Sequence, residues 1–385
     1  MLAIINGRLF TITHGVVEGG TVLIDRGRFL AVGSGLTVPQ GTQVIDAAGC
    51  YVYPGLVDAH THHGVYAEIS GPEGADGNEM TDPITPHVRA VDSLNWFDAG
   101  FDDAVANGVT TVNVVPGSGN VIGGQGVAVK TWGMRPAERI VLEPSGVKMA
   151  LGENPKRVYG GKNKTPATRL GNAAVMREAF VQARNFQRKR ARGEGERELR
   201  WEIVVDVLEG KLPARCHAHR ADDILTALRI SQEFGFRLTI EHCTEGHRVA
   251  DELATAGVMC TLGPLLTGRS KQELKDRSLE AAAALERAGV IFGFTTDHPV
   301  IPAYSLPMCA AYAVGAGMSR EGALRALTLD AARVIGVDDR IGSLEAGKDA
   351  DCFLADGDVL DPRTRVVTTL VNGQVAWSLD DAPRI

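Results

Sequence analysis

Residues 1–54 alternate apolar and polar positions in short runs, "LAIINGRLFTI", "GGTVLIDRGRFLAVGS" and "TQVIDAAGCYVYPG", bounded by glycine, proline or aspartate. A period of two between turn residues predicts an antiparallel sheet. The texture returns late in the chain, in "GKDADCFLADGDVL" and "VVTTLVNGQVAW", where Asn372-Gly373 marks a turn. Between these ends the pattern changes. Apolar runs ("VTTVNVVPG", "SGVKMALG", "ARCHAH", "FRLTIEH", "GVMCTLGP", "GVIFGFTTDHP") alternate with stretches of helical period at 222–235, 245–257, 270–289 and 320–336. Alternation at this spacing predicts parallel βα units. About eight such strands between residues 55 and 300 give an α/β chain built on a (β/α)8 TIM barrel. The expected organisation is a barrel over 55–338, with 1–54 and 339–385 as flanking β-structure.

Composition narrows the function classes. Of 385 residues, 44% are hydrophobic and 23% charged, enough for a large core of ordinary soluble type. A net charge of −7 argues against a nucleic-acid or membrane-surface role. No apolar run reaches the roughly 18–20 residues of a bilayer span. The opening "MLAIINGRLFTITHG" has no basic stretch before an apolar core, so no signal peptide is expected. Cysteines 50, 216, 243, 260, 309 and 352 are dispersed without a CxxC, as buried thiols in a reducing cytoplasm would be. The expected partner is a small-molecule substrate, and a homo-oligomer is compatible with this composition. The one dense charge run, 184–200, mixes glutamates among its basic residues and reads as a solvated helical excursion between the fourth and fifth strands.

The chemistry sits in the histidines. "VDAHTHHG" (57–64) and "CHAHRADDI" (216–224) each place two histidines two residues apart at the end of an apolar run. On a strand, i and i+2 point to the same side, so His60 and His62 face one way, with Thr61 opposite. His217 ends "ARC", His242 ends "FRLTIE" and Asp297 ends "VIFGFTT". Five ligand-type residues at the tips of four barrel strands can converge on one point. Imidazole and carboxylate suit a divalent metal, zinc first, with manganese or iron behind it. His219 shares the parity of His217 one step further out. It reads either as a catalytic or substrate-contacting group or as a surface histidine.

The motifs "YVYPGLVDAHTHHG", "CHAH", "IEHCTEG", "TTDHP" and the tail "ALTLDAARVIGVDDRIGSLEAGKDADCFLADGD" resemble the amidohydrolase superfamily of metal-dependent hydrolases over nearly the whole chain. The resemblance implies a barrel joined to a small β-sandwich built from both chain termini. It implies that His60 and His62 bind the more buried metal, that His217 and His242 bind metal, and that Asp297 is both ligand and general base. Within the superfamily the chain resembles the imidazolonepropionase-related and prolidase-like branch. It departs from true imidazolonepropionases after HxH, where "VYAEISGPEGADGNEM" replaces an arginine-bearing stretch. "SGVKMALGENPKRVYGG" resembles the prolidase-like pattern in which a carboxylated lysine bridges two metals, here Lys148. In an extended 146–151, Met149 and Leu151 face the helices and Lys148 faces inward. Glu153, just beyond, is the alternative carboxylate, as in sugar-amide deacetylases of the superfamily.

"GSGNVIGGQG" (117–126) is one residue too long for a dinucleotide fingerprint and reads as a substrate-side loop. Asn120, Gln125, Lys130, Asn154, Lys156, Arg157 and Tyr159 are the polar groups available to hold a substrate. The expected reaction is metal-assisted hydrolysis of an amide C–N bond in an N-acyl amino acid, a dipeptide-like compound or a cyclic amide, with Asp297 as proton shuttle. The alternatives are a mononuclear deaminase or imidazolonepropionase-like hydrolase, and a non-catalytic barrel serving as a binding or assembly module. Glu241, preceding His242, is expected on the opposite face, which counts against a deaminase.

Overall fold

The structure, a computed structural model, describes residues 1–68 and 71–381. Five strands come first: β1 (Leu2–Phe10), β2 (Val16–Asp25), β3 (Arg28–Gly33), β4 (Gln43–Asp46) and β5 (Tyr51–Pro54). The central region holds β6 (Leu56–Thr61), β7 (Val109–Val114), β8 (Ile122–Gln125), β9 (Val127–Lys130), β10 (Ile140–Leu142), β11 (Val147–Ala150), β12 (Ala214–Ala218), β13 (Leu238–His242), β14 (Met259–Leu262) and β15 (Phe292–Phe294). The chain then returns to the first sheet with β16 (Cys352–Ala355), β17 (Val366–Val371) and β18 (Gln374–Ser378). That sheet runs β18-β17-β16-β5-β1-β2-β3, with β4 beside β1. Strands from both ends of the chain therefore share one sheet, through the antiparallel β5–β16 pair.

The central strands form two sheets, β10-β9-β7-β6 and β15-β14-β13-β12-β11-β8. β6, β7, β11, β12 and β13 are buried at every residue, as parallel strands covered on both faces must be. Pairing from β11 to β15 is parallel throughout. The sheets meet at β6 and β15, where the Thr296 N–H and hydroxyl donate to Asp58 at 3.1 and 2.5 Å. The fold is thus mixed α/β.

One strand breaks the expected parallel order. Residues 122–130 run antiparallel to both neighbours, β8 along β11 and β9 along β7, with Gly126 between the two halves. Only residues 115–121 link β7 to β8. A parallel return needs a crossover of about a dozen residues or more, so the chain turns straight back. Ile122–Gln125 of the "GSGNVIGGQG" stretch is consequently strand, while 117–121 stays a loop whose Gly117, Ser118 and Gly119 line a cavity.

The expected helix at 222–235 is present as Ala221–Phe234. Only Ala250–Thr255 and Ala281–Arg287 are α-helical within 245–257 and 270–289. The 320–336 stretch breaks at Thr328, whose hydroxyl donates back to Leu324 O at 2.6 Å. The 184–200 run lies on the end of a long helix, Arg169–Ala191, and the exposed turn into Leu199–Leu208. Among the described residues no helix is long and apolar enough to cross a membrane.

Candidate metal centre

His60 and His62 leave the same side of β6 and are buried. With Asp297, beyond β15, each offers a ligand atom within 4.8 Å of the others; His217, His219 and His242 do the same from β12 and β13. The trios adjoin. The His60 and His242 rings stand 4.6 Å apart. Asp297 Oδ1 is 3.2 Å from His62 Nε2 and 3.5 Å from His60 Nε2. His219 is 3% exposed and stacks on His242 with ring centroids 4.7 Å apart, so it is no surface histidine.

The outer nitrogens fix the tautomers. His62 Nδ1 faces Val115 O at 2.8 Å and His242 Nδ1 faces Gly263 O at 3.0 Å. A carbonyl only accepts, so each Nδ1 carries the hydrogen and each Nε2 keeps its lone pair. His60 Nδ1 donates in the same way to Glu241 at 2.7 Å. His219 Nδ1 pairs with Thr244 Oγ1 at 2.7 Å, while His219 Nε2, both nitrogens of His217 and Asp297 Oδ1 are buried without a hydrogen-bond partner among the described residues.

The charge states follow from burial. Burial, reinforced by Lys148, pushes His60 down to about 4. It pushes His217, His219 and His242 well below the usual imidazole range. For Asp297 burial favours the neutral acid, but His242, His62 and His60 outweigh it and hold the carboxyl well below normal. Burial thus biases His60, His217, His219 and His242 to the neutral form, and their surroundings bias Asp297 to the ionised one.

Backbone geometry makes the convergence. His242 and Asp297 take positive φ, 71° and 53°, and Cys243 follows at 46°, a region that bulky residues seldom occupy outside functional sites. β12 and β13 align His217 with Glu241, so those two point the same way, and His242 joins them only because its backbone turns over. The expectation that Glu241 faces away is therefore corrected. Glu241 is fully buried and also contacts Thr261 Oγ1 at 2.9 Å and Arg215 Nη1 at 3.4 Å. Period-two counting misses Glu241, because it assumes a regular strand through His242.

Lys148 points inward as expected, 1% exposed, with Nζ 3.3 Å from His60 Nε2. Burial pushes its pKa down to about 8. Glu153 instead opens the helix Glu153–Gly160 and belongs to no ligand group among the described residues. The Asp297 carboxylate does not cap the turn that follows; Val300 N donates to its backbone oxygen. His298 stacks on His63, with centroids 3.8 Å apart, and faces Glu68 at 3.5 Å rather than the trios.

The expected substrate groups divide. Asn154 and Arg157 line the cavity above the histidines, which encloses about 490 Å³. Asn120 and Gln125 are spent on holding residues 79–86, and the Tyr159 hydroxyl donates to Asp82 O at 2.8 Å. Lys156 lies outside the cavity lining. Lys130 is buried in an ion pair with Asp351 and Asp349, remote from the site. Sequence reasoning also missed Lys271 and Tyr66, both on the cavity wall. Tyr66 lies in a segment without periodicity, and Lys271 at the start of the expected helical stretch 270–289, of which only Ala281–Arg287 is α-helix.

Comparison with known proteins agrees with this architecture. The amidohydrolase family profile matches residues 209–376. The crystal structure of an amidohydrolase from Thermotoga maritima MSB8 is 43% identical, covers 98% of this chain and all of that one, and superposes with a TM-score of 0.95. The amidohydrolase tasK of Hapsidospora irregularis is 30% identical over 92% of this chain, which spans only 39% of that larger protein. An imidazolonepropionase from Caulobacter sp. is 27% identical over 89% of this chain and 88% of its own.

Proposed function

The chain belongs to the amidohydrolase family, and on that premise we propose that it hydrolyses the carbon–nitrogen bond of an amide: an N-acyl amino acid, a dipeptide-like compound or a cyclic amide. One observation carries this reading. His62, His219 and His242 have Nδ1 committed outward, while His219 Nε2, both nitrogens of His217 and the facing Asp297 Oδ1 have no hydrogen-bond partner among the described residues. This donor set fits a divalent cation, with zinc the first choice. His60, His62 and Asp297 would hold one ion, and His217 and His242, with His219 beside them, a second. A carbamate on Lys148 would join the two groups, a reading supported by its Nζ lying 3.3 Å from His60 Nε2. A cation bound there supplies a water with a pKa of about 7 and a polarised carbonyl.

The chain's own residues do the rest. Asp297 takes the proton from the attacking water and returns it to the leaving nitrogen. His219, anchored by Thr244, turns Nε2 to the cavity and contacts the substrate. Glu241 holds His60 in the tautomer that leaves Nε2 free. On the same reading the two central sheets are parts of one (β/α)8 barrel over 55–338, with 1–54 and 339–385 as a β-sandwich.

Elemental analysis of protein purified without chelator, followed by an amide screen, tests the proposal. Two ions and amide turnover support it. A single ion would favour the deaminase-like or imidazolonepropionase-like site, although Glu241 is already engaged by His60, Thr261 and Arg215. No ion would leave a non-catalytic barrel.

A further inference from the structure

The charge of the cavity wall goes further than the reaction class. This inference rests on the amide-hydrolase reading and names its substrate. The chain carries a net charge of −7, yet the charged residues lining the cavity are Arg157, Lys271 and Asp297. Asp297 is turned toward the histidines, so the wall that remains is cationic. Some other part-buried arginines are paired: Arg169 holds Asp223 at 2.9 Å and Glu273 at 2.8 Å, and Arg340 holds Asp349 at 2.8 Å.

The two cavity cations differ. Lys271 has a side chain only 24% exposed, and its one ion-pair contact is Glu273, 3.8 Å away and already bonded to Arg169 and the Glu153 N–H. Arg157, on the helix Glu153–Gly160, makes no ion pair among the described residues. A part-buried ammonium without a close counter-ion is costly unless a ligand supplies one. Neutral groups fill in around the pair: Asn154, Ser118 and Ser270 offer hydrogen bonds, and Val158 and Leu274 offer apolar surface.

We propose that Lys271 and Arg157 receive a free carboxylate of the substrate, so that the amide cleaved is an N-acylated amino acid or dipeptide rather than a neutral or cyclic amide. The cations then act as specificity determinants. They fix the anionic end against the wall while the scissile carbonyl lies over the histidines.

The test compares N-acetyl and N-benzoyl amino acids with their C-terminal carboxamides on the metal-replete enzyme. The parent is expected to favour the acids in kcat/KM on the order of a hundredfold, the scale of a charge pair in a part-desolvated site. Lys271→Met and Arg157→Gln should each shrink that ratio at least tenfold, mainly through KM, and Lys271→Arg should restore part of it. If Lys271→Met does not fold, Arg157→Gln and competitive inhibition by free against amidated product amino acids give the same readout. Equal turnover of acids and carboxamides by the parent, or variants that keep the parental ratio, would overturn the carboxylate assignment and leave the hydrolase reading standing. Full metal without hydrolysis of either series would sink both.

Discussion

Asp297 is asked to do two things, and its geometry allows them to be separated. Asparagine keeps the shape and an oxygen for the cation but cannot take a proton. Asp297→Asn should retain most bound metal while kcat falls by roughly a hundred- to ten-thousand-fold; a rate within tenfold of the parent would remove it from the proton path. Glu241 reaches the ligand groups through His60. Glu241→Gln should weaken metal binding about 10- to 100-fold, measured by competition with a chromogenic chelator, because it unsettles the His60 tautomer. For Lys148, burial lowers the pKa from the usual 10.5 to about 8. The neutral amine that adds carbon dioxide is therefore half-populated near pH 8 instead of near 10.5. Reconstitution of metal-free protein should need bicarbonate and rise with pH through about 8. A pH-independent, bicarbonate-independent recovery would show that Lys148 is no bridge.

At the level of elements, the strand tips were legible because a polar ligand type closing an apolar run breaks the composition of the strand around it. The inward turn of Lys148 was legible for a related reason, since Met149 and Leu151 claim the other face. Glu241 was not legible, since the φ of 71° at His242 suspends the alternation on which the reading depended. Nor was the antiparallel 122–130 strand, whose direction is set by the length of one link and not by its own residues. The helix Arg169–Ala191 was hidden by a charge run that obscures its apolar side. Gly263, after β14, shows how tightly these ends are fitted. It has φ 142°, and a Cβ there would lie 2.2 Å from Thr295 O, while its carbonyl accepts from His242. Gly263→Ala should cost about 1–3 kcal/mol in urea unfolding and lower metal content as well. Loss of stability with metal affinity unchanged would mean that the two strand ends are not coupled.

For the whole molecule, the joint between the terminal sheet and the central region is electrostatic as well as apolar. Lys130 on β9 reaches Asp349 at 3.2 Å and also pairs with Asp351, just ahead of β16. All three side chains are buried. Lys130→Met would strand Asp351, since Asp349 keeps Arg340 at 2.8 Å, and stability should fall by about 3–5 kcal/mol while metal content per folded molecule stays at the parental value. A smaller loss, read from the urea midpoint, would mean that the Asn372 N–H, which donates to Asp351 at 2.8 Å, suffices to hold that carboxylate. The β5–β16 pairing has a consequence in time. The two strands lie roughly 300 residues apart in the chain, and at about 5–20 residues per second synthesis separates them by some 15–60 s. Throughout that interval the newborn β5 has an open edge toward any passing strand, a standing invitation to aggregation. The order of synthesis thus leaves this side of β5 unpaired until residues 352–355 have emerged.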